Sequence, residues 1–492
     1  MFQTKTHNEF QNQNQNQDQN HNPNKRLNKM LPNHQPNNQP GNQNRQLKRI
    51  NQIRFSPPQT LSLGFLILIV LGALLLMLPV SLKPGKAITF LDALFEATSA
   101  VCVTGLVVTD TGTTFTAFGQ IVLLLLIQVG GLGFMTFGIL VALLLGKKIS
   151  LSNRLMAQSA LNQFNLSGIV KLVQMVLMMT LIVEGAGALL LALTWARDMP
   201  LGWAVYYGIF HSISSFNNAG FDIMGNYASM TAYVGSWPVN LVLSSLYIIG
   251  GLGFTVILEV LQKRNIRQWS LNTKTVMAVT LLLNGAASVL FFLLERHNPL
   301  TLGSLPLSDQ IIASYFQGTV PRTAGFNTID LTQMNSDSVM LMMGLMFIGG
   351  ASGSTAGGIK ITSFFLLLLV VWTFVKQRED ITFLRRRIPK DLVFRAMAIA
   401  MIGIGLVFTA SFLLQITETG IPLMNLAFEA VSAFGTVGLT LGVTPHLSDW
   451  GRCIIMVLMF VGRLGPLTIA LALTRSRKAP NLKYPEEKIL IG

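Results

Sequence analysis

The sequence predicts an all-α polytopic membrane protein of four pseudo-symmetric repeats, each a helix, a short half-helix, a glycine loop and a second helix. Three observations carry this reading. Of 492 residues, 51% are hydrophobic and 12% charged, with mean hydropathy +0.51; soluble domains carry about a quarter charged residues. Apolar runs long enough for a hydrocarbon core of about 30 Å, which takes about 20 helical residues, recur eight times. An eight-residue glycine segment recurs four times between them.

Residues 1–56 come first. QNQNQNQDQNHNPNK and PNHQPNNQPGNQNRQ are Asn, Gln, Pro and basic residues with no apolar face to bury, and they read as a disordered tail. No signal peptide is expected, because the first apolar run is too long for one and the tail has no apolar core. The apolar runs lie near 61–80, 120–145, 170–196, 239–261, 275–294, 339–375, 392–414 and 453–474. Eight crossings would leave both termini on one side. Lys147, Lys148, Arg154, Lys263, Arg264, Arg267, Lys376, Arg378, Arg385, Arg386, Arg387, Arg475 and Lys478 fall on the tail side, whereas Asp110, Asp198, Asp222, Asp309, Asp330, Glu418 and Asp449 fall opposite. Retention of Lys and Arg in the cytoplasm explains the net charge of +15 without nucleic acid and places both termini there. Membrane lipid is therefore the expected surrounding. Cys102 and Cys453 supply neither a disulfide framework nor a C-x-x-C pair.

The repeat is read by aligning one glycine. SAVCVTGL (99–106), SSFNNAGF (214–221), TVPRTAGF (319–326) and SAFGTVGL (432–439) each follow a short apolar stretch and precede a long run with its own glycine cluster: GGLGF (130–134), GGLGF (250–254), GGASG (349–353) and GRLGP (462–466). The implied divisions are repeat 1 at 57–148, repeat 2 at 149–264, repeat 3 at 265–378, repeat 4 at 379–475, and a cytoplasmic tail at 476–492. Non-helical backbone at membrane depth is tolerated only where it lines a water path or is buried in protein. Four such loops about one axis could surround an ion with carbonyls, glycine permits the turn, and the C-terminal dipole of each half-helix favours a cation. The fold expectation is thus four helix–pore-loop–helix repeats around one central pore.

These residues resemble a family. The four-fold unit, Gly105, Gly220, Gly325 and Gly438, the T-x-R-T-A-G-F form of Thr319 to Phe326, and GGASGSTAGG together resemble the superfamily of bacterial Trk and Ktr potassium transporters and plant and fungal HKT transporters, over about 57–475. The Ktr membrane subunit, the KtrB type, is the most similar branch, since the first repeat directly follows a polar tail. The resemblance implies K+ uptake across the bacterial plasma membrane through a pore in each subunit of a homodimer, often sodium-coupled, and a cytoplasmic ring of RCK-type nucleotide-binding subunits. It implies no cofactor in this chain, with K+ as substrate and Na+ as a coupling or activating ion. Sodium-selective relatives tend to carry serine at the first filter position, so Gly105 favours K+. The selectivity filter would be Val103, Thr104, Gly105, Asn218, Ala219, Gly220, Thr323, Ala324, Gly325, Thr436, Val437 and Gly438.

Glu96, His211, Gln317 and Glu429 fall eight or nine residues before their glycines. Carboxylates at membrane depth are costly, and a supporting role through hydrogen bonds to filter backbone is favoured over contact with the ion. Arg463 stands where the other clusters have Gly131, Gly251 and Gly350. A guanidinium in mid-membrane costs at least about 2.5 kcal/mol on insertion scales, so it needs partners; the family reading makes it a barrier below the filter. Arg322, inside the third loop, either faces the ion path or turns away to pair with an extracellular acid, and the residues leave its orientation open.

GGASGSTAGGIK (349–360) has the composition of a phosphate loop, but Ile359 stands where Walker A requires lysine. The apolar segment 339–375 would be about 55 Å long as straight helix, far beyond a bilayer core, so it must break here. Gly349, Gly350, Ala351, Ser352, Gly353, Ser354, Thr355, Ala356, Gly357, Gly358 and Lys360, with Arg463, are the expected gate, with Ser352, Ser354 and Thr355 bonding freed backbone. An enzyme would need convergent acids, bases or metal ligands that the sequence does not offer. A secondary transporter with inverted repeats is disfavoured by four units running the same way; it and a sodium-permeable channel of the same superfamily are the alternatives.

Overall fold

Each quarter of the chain is framed by one long apolar helix. The computed structural model describes residues 57–133 and 169–473, with Pro485 and Glu487. The N-terminal tail, Lys147, Lys148, Arg154 and the tail at 476–492 lie outside the described residues apart from Pro485 and Glu487.

The first quarter contains α1 (Pro57–Leu76), half-helix α2 (Phe90–Cys102) and α3 (Ala117–Leu132); the second, α4 (Ile169–Trp195), α5 (Leu201–Phe216), α6 (Trp237–Leu252) and α7 (Phe254–Gln262). The third contains α8 (Leu271–Glu295), α9 (Leu307–Thr319), α10 (Ser336–Phe347) and α11 (Ile361–Val375). A hairpin, β1 (Thr382–Phe383) with β2 (Arg386–Arg387), leads to the fourth: α12 (Lys390–Thr417), α13 (Leu423–Gly435), α14 (Asp449–Leu464) and α15 (Pro466–Leu473).

α1, α4, α8 and α12 are long and apolar enough to cross a membrane. Their outer faces confirm the solvent: Leu181, Ile182, Leu281, Leu282, Met401 and Phe408 are exposed, as lipid contact requires. The half-helices face the opposite problem and are nearly enclosed. Phe95, Phe210, Phe316 and Phe428 are each no more than 1% exposed, at matching places on α2, α5, α9 and α13. Local starts follow from sequence. Thr89 and Asp92 form a reciprocal capping box at α2, while Ser270, Thr116 and Ser448 cap α8, α3 and α14. The circle closes between first and last quarters through Arg452 Nη1 and Asp92 Oδ1, 2.8 Å apart.

The expected runs 120–145, 239–261 and 453–474 are not continuous helices. α3, α6 and α14 each stop at a glycine with φ +85°, +89° and +85°, namely Gly133, Gly253 and Gly465. Beyond Gly253 the chain bends by 97° into α7. A break is therefore built into the second and fourth quarters as well as the third, where alone the sequence pointed to one, and α3 stops at Gly133 in the same way, with 134–145 outside the described residues. The reason is that hydropathy registers apolar length, and a single glycine in the left-handed region redirects a helix without changing it. The third break is the long one, residues 348–360, as the excess length of 339–375 required.

Candidate functional site

Each half-helix leads into a triplet ending in glycine, directly at Val103 and Thr436, after Asn217 in the second quarter, and after Val320, Pro321 and Arg322 in the third. Val103, Asn218, Thr323 and Thr436 have φ of +54°, +59°, +72° and +50°, and Gly105, Gly220, Gly325 and Gly438 have φ of +88°, +69°, +78° and +92°. Left-handed backbone at a β-branched residue is an outlier, and such strain persists only where the surroundings impose it. Four copies of one strained pattern make it a property of the repeat.

The four triplets touch in chain order. A Cβ on Gly105 would lie 2.4 Å from the Ala219 carbonyl oxygen, and one on Gly220 would lie 2.7 Å from Gly325 Cα and 3.0 Å from the Ala324 oxygen. On Gly325 it would meet the Val437 oxygen at 2.6 Å, and on Gly438 the Thr104 oxygen at 2.2 Å. Loop one meets two, two meets three, three meets four, and four meets one. Carbonyls of Thr104, Ala219, Ala324 and Val437 thus lie at the seams of a closed ring that excludes side chains at all four glycines.

The ring is held from behind. Glu96, His211, Gln317 and Glu429 are fully buried. Glu96 Oε1 accepts from the Val108 and Thr109 amides at 2.9 Å each. The Ile223 amide donates to His211 Nε2 at 3.4 Å, and Gln317 Nε2 donates to Thr328 Oγ1 at 3.4 Å. Glu429 accepts from Thr440 Oγ1 and, at 3.0 Å, from Thr444 Oγ1. All six partners lie on the chain within six residues after the glycine, so the bonds fall beyond the triplets rather than on them. The octets have other anchors that sequence reasoning missed: the Gly105 amide donates to Ser99 Oγ at 3.0 Å, the Gly438 amide to Ser432 Oγ at 3.2 Å, and, just past the second triplet, Ser214 Oγ donates to the Phe221 oxygen at 2.7 Å. Their signal was present, since a hydroxyl residue opens each octet. Thr319 opens the third, but its hydroxyl pairs with Tyr247 at 2.6 Å. There the Ala324 amide bonds four residues back, to Val320, whereas Thr104, Ala219 and Val437 bond five back. The third loop is one residue shorter, as Gln317 at eight before the glycine had indicated.

Below the ring runs 348–360. Ile348 and Ile359 pair as an isolated parallel bridge, with the Gly349 amide 2.9 Å from the Ile359 oxygen. The Ala351 and Thr355 amides donate to the Gly251 and Gly250 oxygens at 2.9 and 3.3 Å, and Ile361 to Gly350 at 3.0 Å. Ser354 Oγ donates to the Ala351 oxygen, and Lys360 Nζ to the Ala356 oxygen, at 2.7 and 2.6 Å. Gly353 and Gly358 supply positive φ. The loop reaches the ring directly: Thr355 Oγ1 donates to Asn218 Oδ1 at 2.7 Å, and a Cβ on Gly357 would strike Thr436 Oγ1 at 2.1 Å.

Arg463, at the foot of α14, holds this loop from the opposite side. Its Nη1 donates to the Thr355 oxygen and its Nη2 to the oxygens of Gly130 and, at 2.9 Å, Gly131. Among the described residues the guanidinium has carbonyl partners and no carboxylate. The orientation of Arg322, open from the sequence, is inward. It points into the protein, is 8% exposed, and donates to Asn284 Oδ1 at 3.0 Å and to the Gly349 oxygen at 3.4 Å. Its partners are a neutral amide and a carbonyl, because the third loop's turn directs position 322 toward the break. In α10, Met342 and Met346 are fully buried in the core, while Met340 is exposed.

A cation transport family model matches residues 56–484, the one for the TrkH cation transport protein. The chain belongs to the TrkH family. Its relatives include the Ktr system potassium uptake protein B of Bacillus subtilis strain 168, 44% identical over 448 residues that cover 90% of this chain and 99% of that one. The potassium/sodium uptake protein NtpJ of Enterococcus hirae is 40% identical over 453 residues, 90% of this chain and 99% of that one. Among solved structures, the potassium transporter TrkH from Vibrio parahaemolyticus matches with TM-score 0.68 at 21% identity, covering 86% of each chain. That likeness shows a common polytopic fold. The TrkH family is one of transport proteins rather than enzymes, and in it the ring and the loop beneath are candidates for path and obstruction.

Proposed function

We propose that this chain takes up K+ across the plasma membrane as the membrane subunit of a Ktr-type system. The closed ring of four glycine triplets carries the reading. A dehydrating cation needs oxygens in place of its water shell, and Thr104, Ala219, Ala324 and Val437 present carbonyls at its seams while half-helix C-termini are directed at the same place. The names of the relatives support potassium as the substrate, and the potassium/sodium name of the Enterococcus relative supports a role for Na+ as coupling or activating ion.

The loop 348–360 is the gate, with Arg463 as its electrostatic part. The support is that the loop lies against the ring at Asn218 and Thr436 and is held by a guanidinium with no carboxylate partner among the described residues. A Ktr system's membrane subunit would work as a homodimer on a cytoplasmic ring of nucleotide-binding RCK subunits, with both termini cytoplasmic. Growth of an uptake-deficient bacterium at low K+, with this chain alone and with such a subunit, is the test. Rescue that increases with the subunit and with Na+ supports the whole reading. Protein present in the membrane without rescue in either strain would sink it.

A further inference from the structure

The basic segment between α11 and α12 is more than a topology signal. Lys376, Arg378, Arg385, Arg386, Arg387 and Lys390 lie there against Glu379 and Asp380. Among the described residues, Arg387 pairs with Asp380, just before the hairpin, at 3.0 Å, and this ion pair is exposed on both sides. Thr382 pairs with Arg387 and Phe383 with Arg386, which makes Leu384 and Arg385 the two-residue turn. Both have positive φ, +46° and +62°. Such turns normally take Asn-Gly because both central residues are left-handed. Here a leucine and an arginine occupy those positions under strain, and both are exposed, Leu384 at 56%. A strained turn that presents one apolar and one cationic side chain is adapted to a surface with both characters.

The flanking residues identify that surface. Residues 376–389 are all that separate the two helices, so the hairpin stays tethered close to their ends. Trp372 and Phe374, at the end of α11, are 60% and 84% exposed, and Lys376 Nζ stands 5.1 Å over the Trp372 ring. Aromatic and basic residues together mark a membrane–water interface, and basic clusters just cytoplasmic of a span attract anionic lipid. We propose that the hairpin 382–387 binds anionic phospholipid headgroups of the inner leaflet, with Leu384 inserted and Arg385, Arg386 and Arg387 on the phosphates.

The hairpin also touches the element that follows the loop. Phe383 packs edge-on against Phe365 of α11, centroids 4.9 Å apart, and the first residue of α11, Ile361, is bonded to Gly350. Lipid engagement therefore steadies the trailing end of 348–360. Lipid binding stands without the uptake reading; its effect on transport rests on the loop acting as gate.

The test uses the purified full chain, with retention of phosphatidylglycerol against phosphatidylcholine read by mass spectrometry of the intact complex. K+ flux is measured in vesicles of phosphatidylcholine with and without phosphatidylglycerol. Arg385→Gln, Arg386→Gln and Arg387→Gln together should lower phosphatidylglycerol retention about tenfold or more, leave phosphatidylcholine unchanged and abolish the dependence of flux on the anionic lipid. Leu384→Asn with Arg385→Gly relieves the turn, so it should fold at least as well and still lose retention several-fold. Wild-type retention in either variant overturns the proposal. So does loss of a bound nucleotide-binding subunit with retention intact, which would assign the hairpin to a protein. Lost retention with an unaltered lipid dependence of flux overturns the link to the loop and leaves the uptake reading standing.

Discussion

The ring triplets and the loop 348–360 are both irregular backbone at membrane depth, and they are built in opposite ways. The ring is fixed within each repeat: a fully buried side chain and, in three quarters, a serine hydroxyl of the same half-helix bind the segment that carries the glycine. The loop is fixed between repeats, by Gly250 and Gly251 of the second, Asn218 of the second, and Arg463 of the fourth. A part held by its own repeat keeps its shape when repeats shift. A part held by two others responds when either of them moves, which suits a filter to the first and a gate to the second.

The largest test of that contrast is Gly438→Ala. Its Cβ would sit 2.2 Å from the Thr104 oxygen at a φ of +92°, where backbone strain alone costs about 1–3 kcal/mol. We expect K+ flux in vesicles to fall to background with protein still in the membrane; retained flux would remove the ring from the ion path. Next is Arg463→Ala. A fixed charge about 10 Å from a cation at an effective dielectric near 20 repels it by about 1.7 kcal/mol, so loss should raise flux about tenfold. An unchanged rate would reduce Arg463 to a packing residue.

Smaller changes should separate the two regions. Thr355→Val removes the hydroxyl that joins loop to ring at 2.7 Å from Asn218; a hydrogen bond of about 1 kcal/mol corresponds to a several-fold rise in flux with K+ over Na+ preference kept. A lost preference would show that the loop shapes the filter. Glu429→Gln keeps size but turns one acceptor into a donor beside Thr440 and Thr444. Thermal stability should drop by about 1–3 kcal/mol, with selectivity weakened and gating unchanged. A variant with wild-type stability and selectivity would remove the supporting role.

How much of this was legible differs by element. The four long helices, the half-helices and the glycine triplets were readable because hydropathy and a four-fold repeat are written in local sequence, and Gly105, Gly220, Gly325 and Gly438 align by eye. The break at 348–360 was readable from length. Gly133, Gly253 and Gly465 were not read as breaks, because a conformation is not a composition. Ser99, Ser214 and Ser432 were passed over although they stand in register, since a serine in a small-residue run has no preferred reading until its acceptor or donor is known.

Arg322 shows the limit most clearly. From sequence its orientation, toward the ion path or away to an extracellular acid, stayed open; in the fold it turns inward to Asn284 and Gly349. The sequence by itself determined the membrane class, the repeat and the residues that lack a side chain where loops converge, because burial of apolar length and glycine's backbone freedom are properties of single residues and their spacing. Only the tertiary structure decided that the four loops close in order, that Arg463 and Thr355 meet from different repeats, and that the Arg463 guanidinium is satisfied by carbonyls. Those are distances between residues more than a hundred positions apart, and no local pattern records them.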